Sequence, residues 1–254
     1  MTNRYISWFS CGAASAVATH LALKDYGADN VEIIRQDTGS EHPDNERFMG
    51  DCEEWFGKKV RVIQSDKYPD IWSVFEKRRY IVGVAGAPCT SELKRIPGEL
   101  CIEFGPNQQI EVFGYTVGEK ARVKRWIKNN NERLIDPILV RKNFTKNDCL
   151  GLISKVGIEI PTMYKLGYRN NNCIGCVKGQ AGYWNKIRVD FPAVFERMAL
   201  LERGIGAAIN KTYVGGPRQR VFLDELDPNA GRYGEEPSIQ CGIVCMDEVD
   251  DGQI

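Results

Sequence analysis

The chain has 254 residues, 43% of them hydrophobic, enough to build one substantial core or two modest ones. Lys and Arg together number 34 and Asp and Glu also 34, which excludes the strong basic excess of a general nucleic-acid or membrane-surface binder and makes charge a local matter. No stretch reaches the length of a transmembrane helix, and the opening "MTNRYISWFS" lacks a long apolar run with a cleavage site, so a cytoplasmic protein with no membrane partner is expected.

Taken in chain order, the first expected element is a strand over Arg4 to Ser10, rich in aromatic and β-branched residues. A helix over Ala13 to Tyr26, stopped by Gly27, follows it. Strands are then expected at Val31 to Gln36, Lys59 to Gln64 and Ile110 to Tyr115, with helices over Asp44 to Phe56, Asp70 to Tyr80 and Glu119 to Asn129. This alternation predicts an α/β fold with a parallel sheet, helices on both faces, and a ligand beyond the carboxyl ends of the strands. After "RLIDPIL" the pattern changes: Thr145 and Asp148 make a capping box for a further helix, and Pro161 opens a segment rich in Gly, Asn and Cys. A soft boundary near Val140 divides the chain into an α/β core, residues 1–140, and a cysteine-containing region, residues 141–254, packed on it. The end "MDEVDDGQI" reads as a solvated acidic tail.

The first join carries chemistry. Ser10, Gly12 and Ser15 form S-x-G-x-x-S between a strand and a helix, where unpaired backbone N–H groups and the helix dipole attract an anion. Gly12 permits a tight turn, and the two serines can donate hydroxyls to phosphate oxygens. The same residues also make an ordinary strand-to-helix turn, so other segments must decide.

"QDTGSEHPDNERF", Gln36 to Phe48, resembles the D-T-G…P-E-T…F signature of the phosphoadenosine phosphosulfate (PAPS) reductase family, within the PP-loop adenine-nucleotide hydrolase superfamily. "APCTSELKRIPGE" resembles the family's C-x-x-x-L-K-x-x-P segment, and "GYTVGEKARVKR" its G-x-x-x-x-E-x-x-R segment. "CIGC" sits where members often carry C-x-x-C, and "GRYGEEPSIQCGIVC" loosely resembles their terminal motif. The resemblance implies a PP-loop fold with an adenine nucleotide on Ser10, Gly12 and Ser15 and its adenosine near Asp37, Thr38 and Gly39. Lys94, Glu119, and Arg122 or Arg125 would join that site, the arginines as bidentate donors to phosphate or sulfate oxygens. Gly215 to Arg220 would add a flexible basic loop. Cys11 and Ala14 replace a Gly and an Asp of the usual pyrophosphate-releasing loop, which favours a bound adenylyl-sulfate-type nucleotide over ATP hydrolysis, while Val244 stands where a reductase motif has His.

Nine cysteines in a reducing compartment are not expected to form a disulfide framework. Cys173 and Cys176 have metal-ligand spacing, with Gly175 allowing the turn between them. By resemblance Cys89 supplies a third ligand and Cys241 or Cys245 a fourth, which suits a four-iron four-sulfur (4Fe–4S) cluster; structural zinc on the same thiolates is the alternative. The resemblance also gives Cys241 a catalytic role, as the nucleophile that attacks the sulfur of a sulfonucleotide, leaving Cys245 as the fourth ligand. Cys11, Cys52, Cys101 and Cys149 read as small core residues. His20 and His42 are the only histidines and offer little for acid–base catalysis.

The expectation drawn from the resemblance is a PAPS reductase-like oxidoreductase of sulfur metabolism that releases sulfite from PAPS or a related adenylyl sulfate, using a thioredoxin-like reductant. An ATP-dependent, iron–sulfur-dependent sulfurtransferase acting on nucleic acid is the alternative, with the basic run Lys120 to Lys128 as its contact. A nucleotide- or metal-sensing module without catalysis is a third reading, and homodimerisation is left open.

Overall fold

A computed structural model describes residues 4–83, 86–100, 109–213 and 218–239. In chain order the main elements are β1 (Arg4–Trp8), α1 (Ala13–Tyr26), β2 (Val31–Gln36), α2 (Asn45–Phe56), β3 (Arg61–Ile63), α3 (Ile71–Arg78), β4 (Gln109–Val112) and α4 (Lys120–Asn129). After them come β5 (Leu134–Asp136), α5 (Lys146–Lys155), α6 (Ala181–Asp190), α7 (Pro192–Ile205), β6 (Asn210–Tyr213) and β7 (Arg218–Val221), with shorter helical turns between. Two compact units result: one of residues 1–37, 42–64 and 97–171, the other of 38–41, 65–96 and 172–254. Val140 lies inside the first unit, which runs on to Asn171.

The first unit holds a five-stranded sheet in the order β3-β2-β1-β4-β5 with every neighbouring pair parallel. β1 pairs with β2 through Tyr5↔Val31 to Trp8↔Ile34 and with β4 through Arg4↔Gln109 to Ser7↔Val112. Parallel strands covered on their faces must be apolar almost throughout, and Ile6, Trp8, Ile33, Ile34 and Val112 are buried accordingly. β4 departs from this with two buried polar residues, Gln109 and Glu111; the Glu111 carboxylate accepts two bonds of 2.6 Å from Arg133 and one of 2.6 Å from the Trp8 indole, so the buried charge is paired and hydrogen-bonded. β5 escapes a reading of the sequence because three residues ahead of Pro137 are too short to show a strand period.

Small residues let α1 lie close to the sheet: Ala13, Ala16, Val17, Ala18 and Ala22 are all buried. Around them Phe9, Ile33, Phe48, Phe56, Ile138, Leu139 and Ile153 complete the core, each burial of a large side chain contributing about 1.5–3 kcal/mol. The expected capping box of α5 is present, with the Thr145 hydroxyl accepting from Asp148 N and the Asp148 carboxylate accepting from Thr145 N. Because the chain runs from β1 outward to β2 and β3 and then crosses to β4, the strand order reverses beside β1. In open α/β sheets ligands bind beyond the carboxyl ends of the strands at such a reversal, which here falls between β1 and β4.

The second unit packs α6 against α7 around Trp184, Ile187 and Met198, all fully buried. β6 and β7 pair antiparallel, Asn210↔Val221 to Tyr213↔Arg218. Residues Arg218 to Arg220, expected as part of a flexible basic loop, are therefore strand, and Arg220 is tied to the carbonyl of Ala208 at 2.6 Å. Glu202 of α7 is fully buried and accepts from the amides of Ile209 (2.5 Å) and Leu223 (2.7 Å), pinning both ends of the hairpin to the helix.

Candidate functional site

The chain leaves β1 through Phe9, whose amide still bonds Ile34 O at 2.8 Å, and turns at Cys11 with φ 53°, a left-handed conformation that costs energy for any residue but glycine. Two contacts hold it there: Asn171 donates to the Cys11 carbonyl at 2.7 Å, and the buried Cys11 thiol faces Asn45 O at 3.7 Å. Gly12 then caps α1 in extended conformation. The serines face each other across the turn: Ser15 Oγ receives the Ser10 amide at 3.1 Å and the Ser10 hydroxyl at 3.2 Å, and donates to Gly12 O at 2.9 Å. Ser10 is exposed and Ser15 buried, so the pair reaches from solvent into the first turn of the helix.

The end of β4 closes on the same turn. A Cβ on Gly114 would lie 2.6 Å from Ser15 N and 2.8 Å from Ala14 C, so only glycine lets the backbone approach α1 this closely. Past Tyr115 the chain enters a capping box in which the Glu119 carboxylate accepts from Thr116 N at 3.1 Å and Thr116 Oγ1 at 3.2 Å. Glu119 also holds Arg122 at 2.8 Å, and the Arg122 guanidinium stacks 4.7 Å from the Tyr115 ring centroid. Arg122 is thus held beside the end of β4, whereas Arg125 is exposed on α4.

At the end of β2, Asp37 accepts from Gln64 at 2.6 Å and lies 3.9 Å from Arg35. Thr38 and Gly39 belong to the second unit. There Thr38 Oγ1 lies 3.1 Å from Cys173 Sγ, and Ser40 O accepts from the Ile174 amide at 2.9 Å, so the segment after Asp37 buttresses the C-x-x-C turn. Gly39, at φ 61°, passes so close to the carbonyl of Pro69 that a Cβ would overlap it.

Gly175 takes φ 79° between the two thiols, as that spacing requires, and the Tyr183 hydroxyl accepts from the amides of Gly175 (3.1 Å) and Cys176 (2.9 Å). Cys173, Cys176 and Cys89 are partly exposed thiols. Cys89 and Lys94 lie on consecutive short helical turns, Pro88–Thr90 and Ser91–Arg95. Among the described residues no three His, Cys, Asp or Glu side chains come together as a group able to hold a metal ion; the thiol pair is the part of the expected ligand set that is organised as a turn. Cys241 and Cys245, expected as nucleophile and fourth ligand, lie outside the described residues, as does Cys101. Cys52 and Cys149 are buried, and burial pushes the Cys149 thiol up to about 12, which makes it a packing residue.

The sequence reading missed Gly114, Lys146, Tyr164 and Asn171. Only Gly114 had a signal, a glycine directly after a strand; the others reach the turn from distant segments. Lys146 donates to Asn170 Oδ1 at 2.5 Å and lies 5.6 Å from the Tyr164 ring centroid, and burial lowers its pKa while the Glu119 carboxylate opposes the shift. Burial likewise pushes the Tyr164 hydroxyl up to about 12, the backbone amides of Ala13 and Asn171 pulling the other way. No protein-family model matches the chain, and no curated protein is a significant match for it.

Proposed function

We propose that the chain is a PAPS reductase-like enzyme that binds an adenine sulfonucleotide and releases sulfite from it. The observation that carries the reading is the hydroxyl-bearing turn Ser10 to Ser15, set at the head of α1 beside the strand-order reversal, with Gly114 admitting the close approach of β4. Such a turn offers hydroxyls and a positive helix end to an anion, and Arg122 and Lys146 add cationic charge nearby. Ser10 and Ser15 keep the loop's two hydroxyls while Cys11 and Ala14 stand in place of the usual glycine and aspartate, which suits an anionic group that is held while the chemistry happens at sulfur.

In this reading the Cys241 thiolate attacks the sulfur of the sulfonate, the S–O bond to the nucleotide breaks, and the nucleotide phosphate leaves with the bonding pair. A thioredoxin-like dithiol then attacks Cys241 Sγ, sulfite leaves with the S–S bonding pair, and the second thiol of the reductant closes its disulfide, regenerating Cys241. Sulfur is reduced from the sulfate to the sulfite level and the dithiol is oxidised. Cys173 and Cys176, with Cys89 and Cys245, would hold an iron–sulfur cluster, or zinc, as a cofactor. The test is sulfite release from PAPS and adenylyl sulfate with a dithiol reductant. Cys241→Ser is expected to abolish release and keep nucleotide binding; retained turnover would refute the assignment.

One observation favours the sulfurtransferase reading. Lys120, Lys124, Arg125 and Lys128 stand exposed along α4, with no ion pair among the described residues, as a phosphate backbone would require. Pyrophosphate released from ATP only when a nucleic-acid acceptor is present would establish that reading over the first.

A further inference from the structure

The sheet of the first unit has a second polar end. At the amino ends of its strands, away from the turn after β1, a cavity of about 180 Å³ is lined by the first residues of four strands: Arg4 of β1, Val31 of β2, Arg61 of β3 and Gln109 of β4. Asp29, Glu32 and Lys58 add charge to its wall, and all seven residues belong to the same unit. Ligands of open α/β sheets sit at the carboxyl ends of the strands, so the fold by itself gives no reason for a polar cavity here.

The lining leaves valences of three kinds. Gln109 is only 2% exposed, and among the described residues its Oε1 has no hydrogen-bond partner, so a buried carbonyl lacks the donor that its burial calls for. Arg61 and Glu32 neutralise each other at 3.0 Å. Lys58 and Asp29 do not: the Lys58 ammonium donates to the Ala28 carbonyl at 2.5 Å, and neither residue has an ion pair among the described residues. One wall thus carries a cation, an anion and a buried neutral acceptor. The volume lies near the about 150 Å³ of a cavity that takes benzene and under the roughly 300 Å³ at which sites for drug-sized ligands begin, so a nucleotide is too large and a molecule of few heavy atoms fits.

We propose that this cavity is a binding site for a small zwitterion, a free α-amino acid with a short side chain, whose ammonium donates to Gln109 Oε1 and faces Asp29 while its carboxylate pairs with Lys58. The site stands at the other end of the strands from the nucleotide turn and does not rest on the nucleotide reading. A charged donor on a buried carbonyl predicts a loss of roughly ten- to hundredfold in affinity when the Gln109 oxygen is removed.

Calorimetric titration of glycine, L-serine, acetate and methylammonium into wild type, Gln109→Leu and Lys58→Met tests it. Wild type is expected to bind both amino acids at millimolar concentration or below, and each single-charge fragment at least tenfold more weakly. Gln109→Leu, which keeps the bulk of the side chain and removes its carbonyl, is expected to weaken amino-acid binding at least tenfold, as is Lys58→Met. A wild type that binds neither amino acid overturns the proposal. Acetate or methylammonium bound as tightly as glycine also overturns it, since the cavity then answers to one charge only. So does affinity kept by Gln109→Leu and lost by Lys58→Met, which would put the ligand on the rim. Should Gln109→Leu fail to fold, Asp29→Asn at an exposed position removes the countercharge of the ammonium, and amino-acid binding unaffected by it would equally overturn the site.

Discussion

The turn after β1 and the turn between Cys173 and Cys176 are built alike and used differently. Each is tight, and each puts one residue in the left-handed region: Cys11 at φ 53° in the first, Gly175 at φ 79° in the second. Around the first stand hydroxyls: a Cβ on Gly12 would lie 3.3 Å from the Tyr164 hydroxyl, 3.7 Å from Ser10 Oγ and 3.9 Å from Ser15 Oγ. In the second the space is filled, because a Cβ on Gly175 would meet Val194 Cγ1 at 2.7 Å and Trp184 at 3.4 Å. Its amides are also committed, both to the Tyr183 hydroxyl, so that the thiols are what it offers outward. The difference teaches that the neighbours of a turn glycine decide its use: hydroxyls, which can rotate toward a ligand, surround Gly12, whereas packed carbon surrounds Gly175.

The sharpest way to break that contrast is Gly114→Ala. The added methyl would press on Ser15 N and Ala14 C, which are backbone and cannot rotate aside, so the first turn of α1 must shift. Nucleotide affinity is expected to fall more than about a hundredfold, since a 1 Å displacement of a positioned group costs that much, with a stability loss of about 3 kcal/mol. Titration and urea denaturation of the same variant measure both. Unchanged affinity would mean that the turn at the head of α1 is not where the nucleotide's anion binds.

The buried carboxylates extend the comparison to the two units. Glu111 in the first is matched by Arg133, whereas Glu202 in the second accepts only amides, while its neighbour Arg203 pairs with Asp224 and Glu225. Burial pushes Glu202 up to about 7, against the opposing amides of Ile209 and Leu223; Asp224 adds to the rise and Arg203 opposes it. The folded state therefore keeps a proton that the unfolded chain gives up near the ordinary carboxylate value. The stability from this group is fully present below about pH 4.5 and is lost as pH rises toward 7. Relative to Glu202→Gln, wild type is expected to lose about 3 kcal/mol between pH 4.5 and pH 8, each tenfold difference in proton affinity between folded and unfolded chain being worth about 1.4 kcal/mol. A difference between the two that stays flat with pH in urea denaturation would show that Glu202 is ionised throughout.

Gly175→Ala tests the filled turn. Strain at a positive φ together with the contact to Val194 predicts a loss of about 2 kcal/mol in stability, with nucleotide affinity per folded molecule unchanged. An effect on affinity as large as that of Gly114→Ala would erase the distinction between the turns.

How far the sequence can be read follows from how local each feature is. The bounds of α1 and β2 emerge residue for residue because small-residue spacing, Gly27 and a β-branched run each act within a few positions. Ser10, Gly12 and Ser15 are visible for the same reason. Arg122 and Arg125 cannot be told apart in the sequence, since both sit on one basic helix; what separates them is the Glu119 carboxylate and the Tyr115 ring, a contact made in space. Asn171 meets Cys11 across 160 residues, and no periodicity encodes such a meeting. The resemblance of the D-T-G pattern led to the expectation of Thr38 as a nucleotide contact, whereas the structure has its hydroxyl at the Cys173 thiol, a partnership that the pattern does not contain.

The smallest effect belongs to the cap of α5, and it probes whether Lys146 matters to the turn after β1. Thr145 and Asp148 bond reciprocally, and those bonds hold the exposed Asp148 carboxyl below its usual range. Thr145→Ala removes the side-chain acceptor for Asp148 N and is expected to cost about 1 kcal/mol near neutral pH. For a carboxyl whose folded pKa is depressed, the stabilisation is present above the ordinary aspartate value and fades as pH falls through the folded one, so the difference between wild type and variant should narrow in strong acid to what the bond from Asp148 N to Thr145 Oγ1 contributes. Lys146 is the next residue and the first of α5, with its ammonium anchored to Asn170. Fraying that turn loosens the ammonium behind Tyr164, so nucleotide affinity should fall about twofold alongside the stability loss, the scale of a contribution of a few tenths of a kcal/mol. If stability drops while affinity holds, Lys146 serves the packing of the first unit and not the nucleotide.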